Sequence, residues 1–165
     1  MKKKAIIFTF LLIILSGGFL LPNFEKVSAA EVGNKAPNFT LKNMNGNKVT
    51  LRDLEGEKVF INFWASWCPP CQTEMPDIQK LYKNHGNDIK IIAINLEEKK
   101  EKVKKYLENE NLTFPVLLDK NKKVASKYLV RAIPTSYFIN ENGIITAKHL
   151  GILNYEEMKK NLKIN

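Results

Sequence analysis

Trp67-Cys68-Pro69-Pro70-Cys71 constrains this chain more than any other stretch. It holds the only two cysteines, two residues apart, just after the apolar run Val59-Phe60-Ile61-Asn62-Phe63-Trp64. Two thiols that close can form a reversible disulfide with each other. A chain of 165 residues buries a core of its own and does not need that bond as a staple. A small secreted fold that relied on staples would carry more cysteines.

A thiol is a useful nucleophile only as the thiolate, and at an ordinary pKa of about 8.5 only a few per cent is ionised near neutrality. Cys68 follows a buried strand and opens a helix, where the first amides and the helix dipole favour negative charge. Pro69 and Pro70 suit the first helical turn, because donors missing there cost least. Cys71 falls one turn inside. Cys68 is therefore expected to attack, and Cys71 to resolve the mixed disulfide.

Competing roles for the pair are weaker. A structural disulfide closing so short a loop would constrain almost nothing. A zinc site needs about four ligands, and beyond this pair there are only His85 and His149, neither at ligand spacing. No metal and no cofactor other than the disulfide itself is expected. Two buried free thiols would not suit an oxidising compartment.

The N-terminus points to such a compartment. Lys2-Lys3-Lys4 precede an apolar run from Ala5 to Leu21, and Pro22 ends it. Val27-Ser28-Ala29-Ala30 offers small residues suited to signal cleavage before Glu31. The run, about 17 residues, also reaches the lower limit of a membrane span, so an uncleaved anchor with its lysines inside is the alternative. Residues 1–30 are read as signal peptide or signal anchor, and residues 31–165 as one domain outside the cytoplasm, on the outer face of the plasma membrane. The net charge of +9 falls to +6 without that segment, and Arg52 and Arg131 are the only arginines. Such spread lysine reads as a solvated surface and argues against nucleic-acid binding.

Downstream, Phe39-Thr40-Leu41 and Val49-Thr50-Leu51 alternate around Asn45-Gly46 as a β-hairpin. Val59 to Trp64 is too uniformly apolar for a half-exposed strand and is expected to be central. The helix from Cys68 carries Met75, Ile78, Leu81 and Tyr82 at helical spacing, is expected to kink at Pro76, and ends at His85-Gly86-Asn87. Ile89 to Leu96 is a second buried strand. Glu97 to Glu110 is read as a surface helix with Glu98/Lys102 and Glu101/Lys105 pairs and a stripe of Val103, Tyr106 and Leu107. Phe114 to Asp119 is extended, and Val124 to Tyr128 a short helix. A hairpin around Asn142-Gly143 joins Thr135–Ile139 to Ile144–His149. Asn154 and Glu157 form a capping box for a last helix.

Asn62 to Cys71 resembles the active-site segment of thioredoxin-fold proteins. Ala36-Pro37-Asn38-Phe39, Glu74-Met75-Pro76 and Ala132-Ile133-Pro134-Thr135 resemble the extracytoplasmic TlpA/ResA-like thiol–disulfide oxidoreductases, over a stretch from about Val32 to the end. The resemblance implies an α/β three-layer fold, a central mixed sheet with helices on both faces, extended by an N-terminal β-hairpin. It implies a monomeric reductase of disulfides in exported proteins, among them apocytochrome c and proteins of spore-envelope assembly, recharged by a transmembrane thiol carrier. A disulfide-donating oxidase or isomerase, or a binding domain with a vestigial cysteine pair, are the alternatives. Peroxidase chemistry fits less well, because the Ala36–Phe39 start is shared with peroxiredoxins while their nucleophile pattern is not.

By the same resemblance Pro134 matches the family's cis-proline beside the cysteines, and with Ile133, Trp67, Pro69 and Pro70 it would contact substrate. Glu74 matches an acidic residue that tunes thiol acidity or handles protons, although it also reads as a solvated first-turn carboxylate. Two positions depart. Asn62 stands where cytosolic thioredoxins have a buried aspartate proton acceptor. The dipeptide between the cysteines is Pro-Pro, where ResA carries an acidic residue.

Overall fold

The computed structural model describes residues 29–164. The expected leader lies outside the described residues except for Ala29 and Ala30, and Ala30 is buried in the core. Seven strands form one sheet: β1 (Thr40–Asn43), β2 (Lys48–Thr50), β3 (Lys58–Trp64), β4 (Ile89–Leu96), β5 (Val116–Asp119), β6 (Thr135–Ile139) and β7 (Ile145–Leu150). The helices are α1 (Pro69–His85), α2 (Lys100–Asn109), α3 (Lys123–Lys127) and α4 (Tyr155–Leu162), with a 3-10 turn at Leu51–Leu54.

The strand order is β2-β1-β5-β4-β3-β6-β7. β3, β4 and β5 run parallel, while β6 and β7 on one side and β1 and β2 on the other are antiparallel to their neighbours. The parallel strands step in one direction across the sheet, so two right-handed crossovers place α1 and α2 on the same face. Their apolar stripes, with that of α4, meet Phe60, Trp64, Ile91 and Phe138 in one core cluster. The opposite face is covered by α3, the 3-10 turn and Phe39, which pack on Val59, Ile61, Phe63 and Tyr137. Burial on both faces is why β3 and β4 are apolar almost throughout. The expected mixed sheet with helices on both faces, and the hairpin added to it, are all present.

The hairpin attaches through β1, which pairs antiparallel with β5 (Lys42 opposite Leu118). On that second face, the Tyr128 hydroxyl donates to the Pro37 carbonyl at 2.9 Å, and the Tyr137 hydroxyl donates to the Tyr128 carbonyl. α4 starts at the expected capping box, with both Asn154–Glu157 hydrogen bonds formed. α1 runs on through Pro76 as a single element.

One expectation requires correction. The surface helix read from Glu97 begins only at Lys100, and Glu97 and Glu98 belong to the turn that precedes it. Glu97 adopts a left-handed φ of 57°, which disfavours helix there, and the turn sends the Glu98 side chain inward rather than along a solvated face. The Glu98–Lys102 pair does form, at 2.8 Å, but with its carboxylate buried.

A non-glycine residue in the left-handed region costs about 1–2 kcal/mol, partly offset by the larger unfolded-state entropy of glycine. The exposed Glu97–Lys122 ion pair that substitution would remove contributes little. Glu97→Gly is therefore expected to raise Tm by about 1–3 °C in thermal unfolding. A fall in Tm would show that the ion pair outweighs the backbone strain.

Candidate active site

α1 begins where it does because Cys68 caps it. Cys68 is extended (φ −93°, ψ 106°), and its Sγ accepts the Cys71 N–H at 3.3 Å. Its carbonyl takes the first helical bond, from the Gln72 N–H at 3.0 Å. Pro69 and Pro70 fill the first two helical positions, where an amide would have no intrahelical acceptor. The site thus lies at the carboxyl end of a central strand, where open α/β sheets bind their ligands.

Cys68 and Cys71 are joined as a disulfide, their Cα atoms 5.2 Å apart. Cys68 shows 4% of its surface and Cys71 none, so Cys68 alone of the pair touches solvent. Trp67 stands out from the surface at 62% exposure, with Pro69 and Pro70 exposed beside it. Trp64, three residues earlier, is fully buried.

The Ile133–Pro134 peptide is cis. The Ile133 carbonyl oxygen lies 3.7 Å from Cys68 Sγ. A disulfide sulfur has no proton to give, so this contact becomes a hydrogen bond only when Cys68 is a thiol. The Pro134 carbonyl accepts the Gly151 N–H at 2.9 Å, and Leu150 and Ile152 on either side of Gly151 are exposed. This apolar rim was not legible beforehand, because Leu150 and Ile152 read only as the end of a hairpin strand and its exit.

Glu74 is fully buried, one turn beyond Cys71 on α1. Its Oε1 accepts from Asn62 Nδ2 at 2.7 Å and its Oε2 from the Leu153 N–H at 3.1 Å. The same Asn62 amide also donates to Ser136 Oγ at 3.0 Å, across the β3–β6 pair. Burial pushes the Glu74 carboxyl up to about 7, and the Leu153 and Asn62 donors keep it from rising further. The reading of Glu74 as a solvated first-turn carboxylate is thereby overturned. Asn62 is also more than the loss of an acid: it holds a carboxyl that α1 brings to the same place. Neither Ser136 nor the Leu153 amide was foreseen, since both reach Glu74 or Asn62 across more than seventy residues of sequence. Among the described residues no cluster of three or more His, Cys, Asp or Glu could hold a metal ion.

Residues 32–148 match the AhpC/TSA family. The chain belongs to that family. It is 37% identical over 169 residues to the thiol-disulfide oxidoreductase ResA of Bacillus thuringiensis (strain Al Hakam), covering 99% of this chain and 98% of that one. It is also 37% identical over 162 residues to the thioredoxin-like protein YneN of Bacillus subtilis (strain 168), covering 94% and 95%. The crystal structure of StoA from Bacillus subtilis superposes with a TM-score of 0.68 at 31% identity, over 78% of this chain and 98% of StoA. With the joined cysteines at the mouth of β3, the activity is thiol–disulfide exchange.

The raised Glu74 carboxyl has a consequence for stability. An ordinary carboxyl titrates at 4.5 and this one at about 7. Below pH 4.5 both folded and unfolded chains hold the proton and no penalty exists. Between the two values the unfolded chain gives it up first, so stability falls as pH rises. Above about 7 the full penalty stands, about 3 kcal/mol. Gln at this position can offer its oxygen to Leu153 and its amide to a turned Asn62, whose Oδ1 is buried without a partner. Glu74→Gln is therefore expected to match the parent near pH 4.5 and exceed its stability by about 2–3 kcal/mol at pH 8, measured by urea unfolding of the oxidised proteins. A pH-independent difference between the two would refute the buried-proton account.

Proposed function

We propose that this protein is an extracytoplasmic reductase that opens disulfides in exported proteins. The observation that carries the reading is the asymmetry of the cysteine pair. One sulfur caps a helix N-terminus beside the Ile133 carbonyl, on a residue that keeps 4% of its surface, and the other is fully buried a turn below. In the reduced protein the Cys68 thiolate attacks one sulfur of a substrate disulfide. The substrate S–S bond breaks, a Cys68–substrate bond forms, and the leaving substrate sulfur takes a proton. Cys71, as thiolate, then attacks Cys68 Sγ and expels the second substrate thiol. Two electrons pass to the substrate and the Cys68–Cys71 disulfide is restored.

Glu74, titrating near neutrality one turn from Cys71, is suited to accept the Cys71 proton in that second step. Ile133 and Pro134 offer main chain to an extended substrate segment, and Trp67, Pro69 and Pro70 supply apolar contact around the attacking sulfur. The N-terminal Lys2–Leu21 pattern supports export, either cleaved after Ala30 or kept as an anchor. Among the described residues no helix is long and apolar enough to cross a membrane. Electrons would come through a transmembrane thiol carrier. Haem-attachment cysteines of apocytochrome c and spore-envelope proteins are the substrates that the resemblance to ResA-like proteins favours.

Two measurements test this. Cys71→Ser is expected to accumulate mixed disulfides on Cys68 in whole cells, resolved by thiol treatment; their absence would reverse or abolish the assigned roles. Equilibration of the Cys68–Cys71 couple with thiol buffers is expected to give a potential near or below roughly −230 mV. A value near roughly −120 mV would assign disulfide donation instead.

A further inference from the structure

Glu98 lies outside every role so far assigned to the site, yet it is the most heavily hydrogen-bonded carboxylate near it. It is 6% exposed and accepts four donors. Its Oε2 takes the Ser66 N–H at 2.6 Å and Asn95 Nδ2 at 2.8 Å. Its Oε1 takes the Ser66 hydroxyl at 2.7 Å and Lys102 Nζ at 2.8 Å. The remaining polar group of Ser66, its carbonyl, accepts from Gln72 Nε2 at 2.7 Å. Every hydrogen-bonding group of Ser66 is therefore engaged, two by the β4–α2 turn and one by α1.

Removing a carboxylate from water is costly unless its lone pairs are met. Here burial pushes the Glu98 carboxyl up, but Lys102, Asn95 and the two Ser66 donors outweigh it and hold the group below the usual carboxylate range. An anion so secured is a rigid anchor. What it anchors is the connection from β3 to α1, residues 65–68, at a point two residues before the cap of the helix. The Cys68 N–H donates to the Ala65 carbonyl at 3.2 Å, closing a tight turn that contains Ser66.

We propose that Glu98 is a positioning residue for thiol–disulfide exchange: by tying Ser66 to the end of β4 it holds the 65–68 loop so that the Cys71 N–H stays aimed at Cys68 Sγ. This rests on the redox reading of the cysteine pair. An amide aimed at the sulfur stabilises the Cys68 thiolate, and a stabilised thiolate favours the dithiol over the disulfide. Loss of the tie loosens the cap, lowers the thiolate share and makes the couple more reducing. A direct charge effect has the opposite sign, because removing a nearby anion would favour the thiolate.

The test compares the parent, Glu98→Ala, Glu98→Gln and Ser66→Ala, each equilibrated with glutathione and assayed for the pH dependence of Cys68 alkylation. Glu74 is present in all four, so its contribution cancels. Glu98→Ala is expected to shift the equilibrium about tenfold towards the disulfide, about 30 mV, and to raise the pH midpoint of alkylation. Glu98→Gln is expected to stay within about twofold of the parent. Its oxygen can keep the Ser66 N–H and Asn95 bonds, and the Ser66 hydroxyl can turn to accept from its amide. Ser66→Ala, which loses one of the two ties, is expected to shift in the same direction by less, and it carries the test if Glu98→Ala does not fold.

Variants that lose thermal stability while equilibrium and alkylation midpoint stay put would make Glu98 merely structural. Alanine and glutamine variants that shift together towards the dithiol would assign a direct charge effect. Either result overturns the positioning role. A parent protein that exchanges no disulfide with glutathione would overturn the redox reading itself, and is separately visible.

Discussion

A helix leaves its first amides without intrahelical acceptors, and at α1 one of them finds a sulfur. The Cys71 N–H points at Cys68 Sγ, and Cys68 holds the extended conformation of a cap. That one contact sets where α1 begins, which cysteine stands at the helix mouth and which lies a turn inside, and where negative charge is welcome. It works because the two residues that follow Cys68 are prolines, whose absent donors are not needed in the first turn. The Ile133 carbonyl then closes the other side of the same sulfur.

Two carboxyls are taken out of water around this cap, and the protein treats them in opposite ways. Glu74 has two donors for four lone-pair sites, and burial dominates, so its proton is held to near neutrality. Glu98 has four donors, one of them an ammonium, and stays ionised. The difference is one of solvation supplied by the fold. A half-satisfied carboxyl is a proton store, and a fully satisfied one is a fixed post. The first lies one turn beyond the fully buried Cys71 on α1, and the second behind the loop that leads to Cys68.

Much of this was readable from local pattern. The helix start at Cys68-Pro69-Pro70, the buried β3 and β4, both hairpins with their Asn-Gly turns, and the Asn154–Glu157 capping box all follow from side-chain chemistry within a few residues. Misreadings arose where a side chain's partner lay far away in sequence. Glu98 looked like the first member of an i,i+4 surface pair because Lys102 is indeed four residues on. Nothing nearby reveals that Ser66 occupies the other side. Glu74 looked equally suited to solvent, because helix periodicity places it next to Met75 and Ile78 without saying what covers it; the cover is Leu153, 79 residues later.

The sequence by itself determined the chemistry: one cysteine pair, spaced to open a helix after a buried strand, admits thiol–disulfide exchange and little else. It also determined the order of elements, because strand and helix periodicities and turn residues are local. Only the tertiary structure decided the electrostatics. Whether a carboxyl keeps or yields its proton depends on how many donors reach it and how much water is excluded, and both are properties of chain segments brought together from opposite ends of the domain.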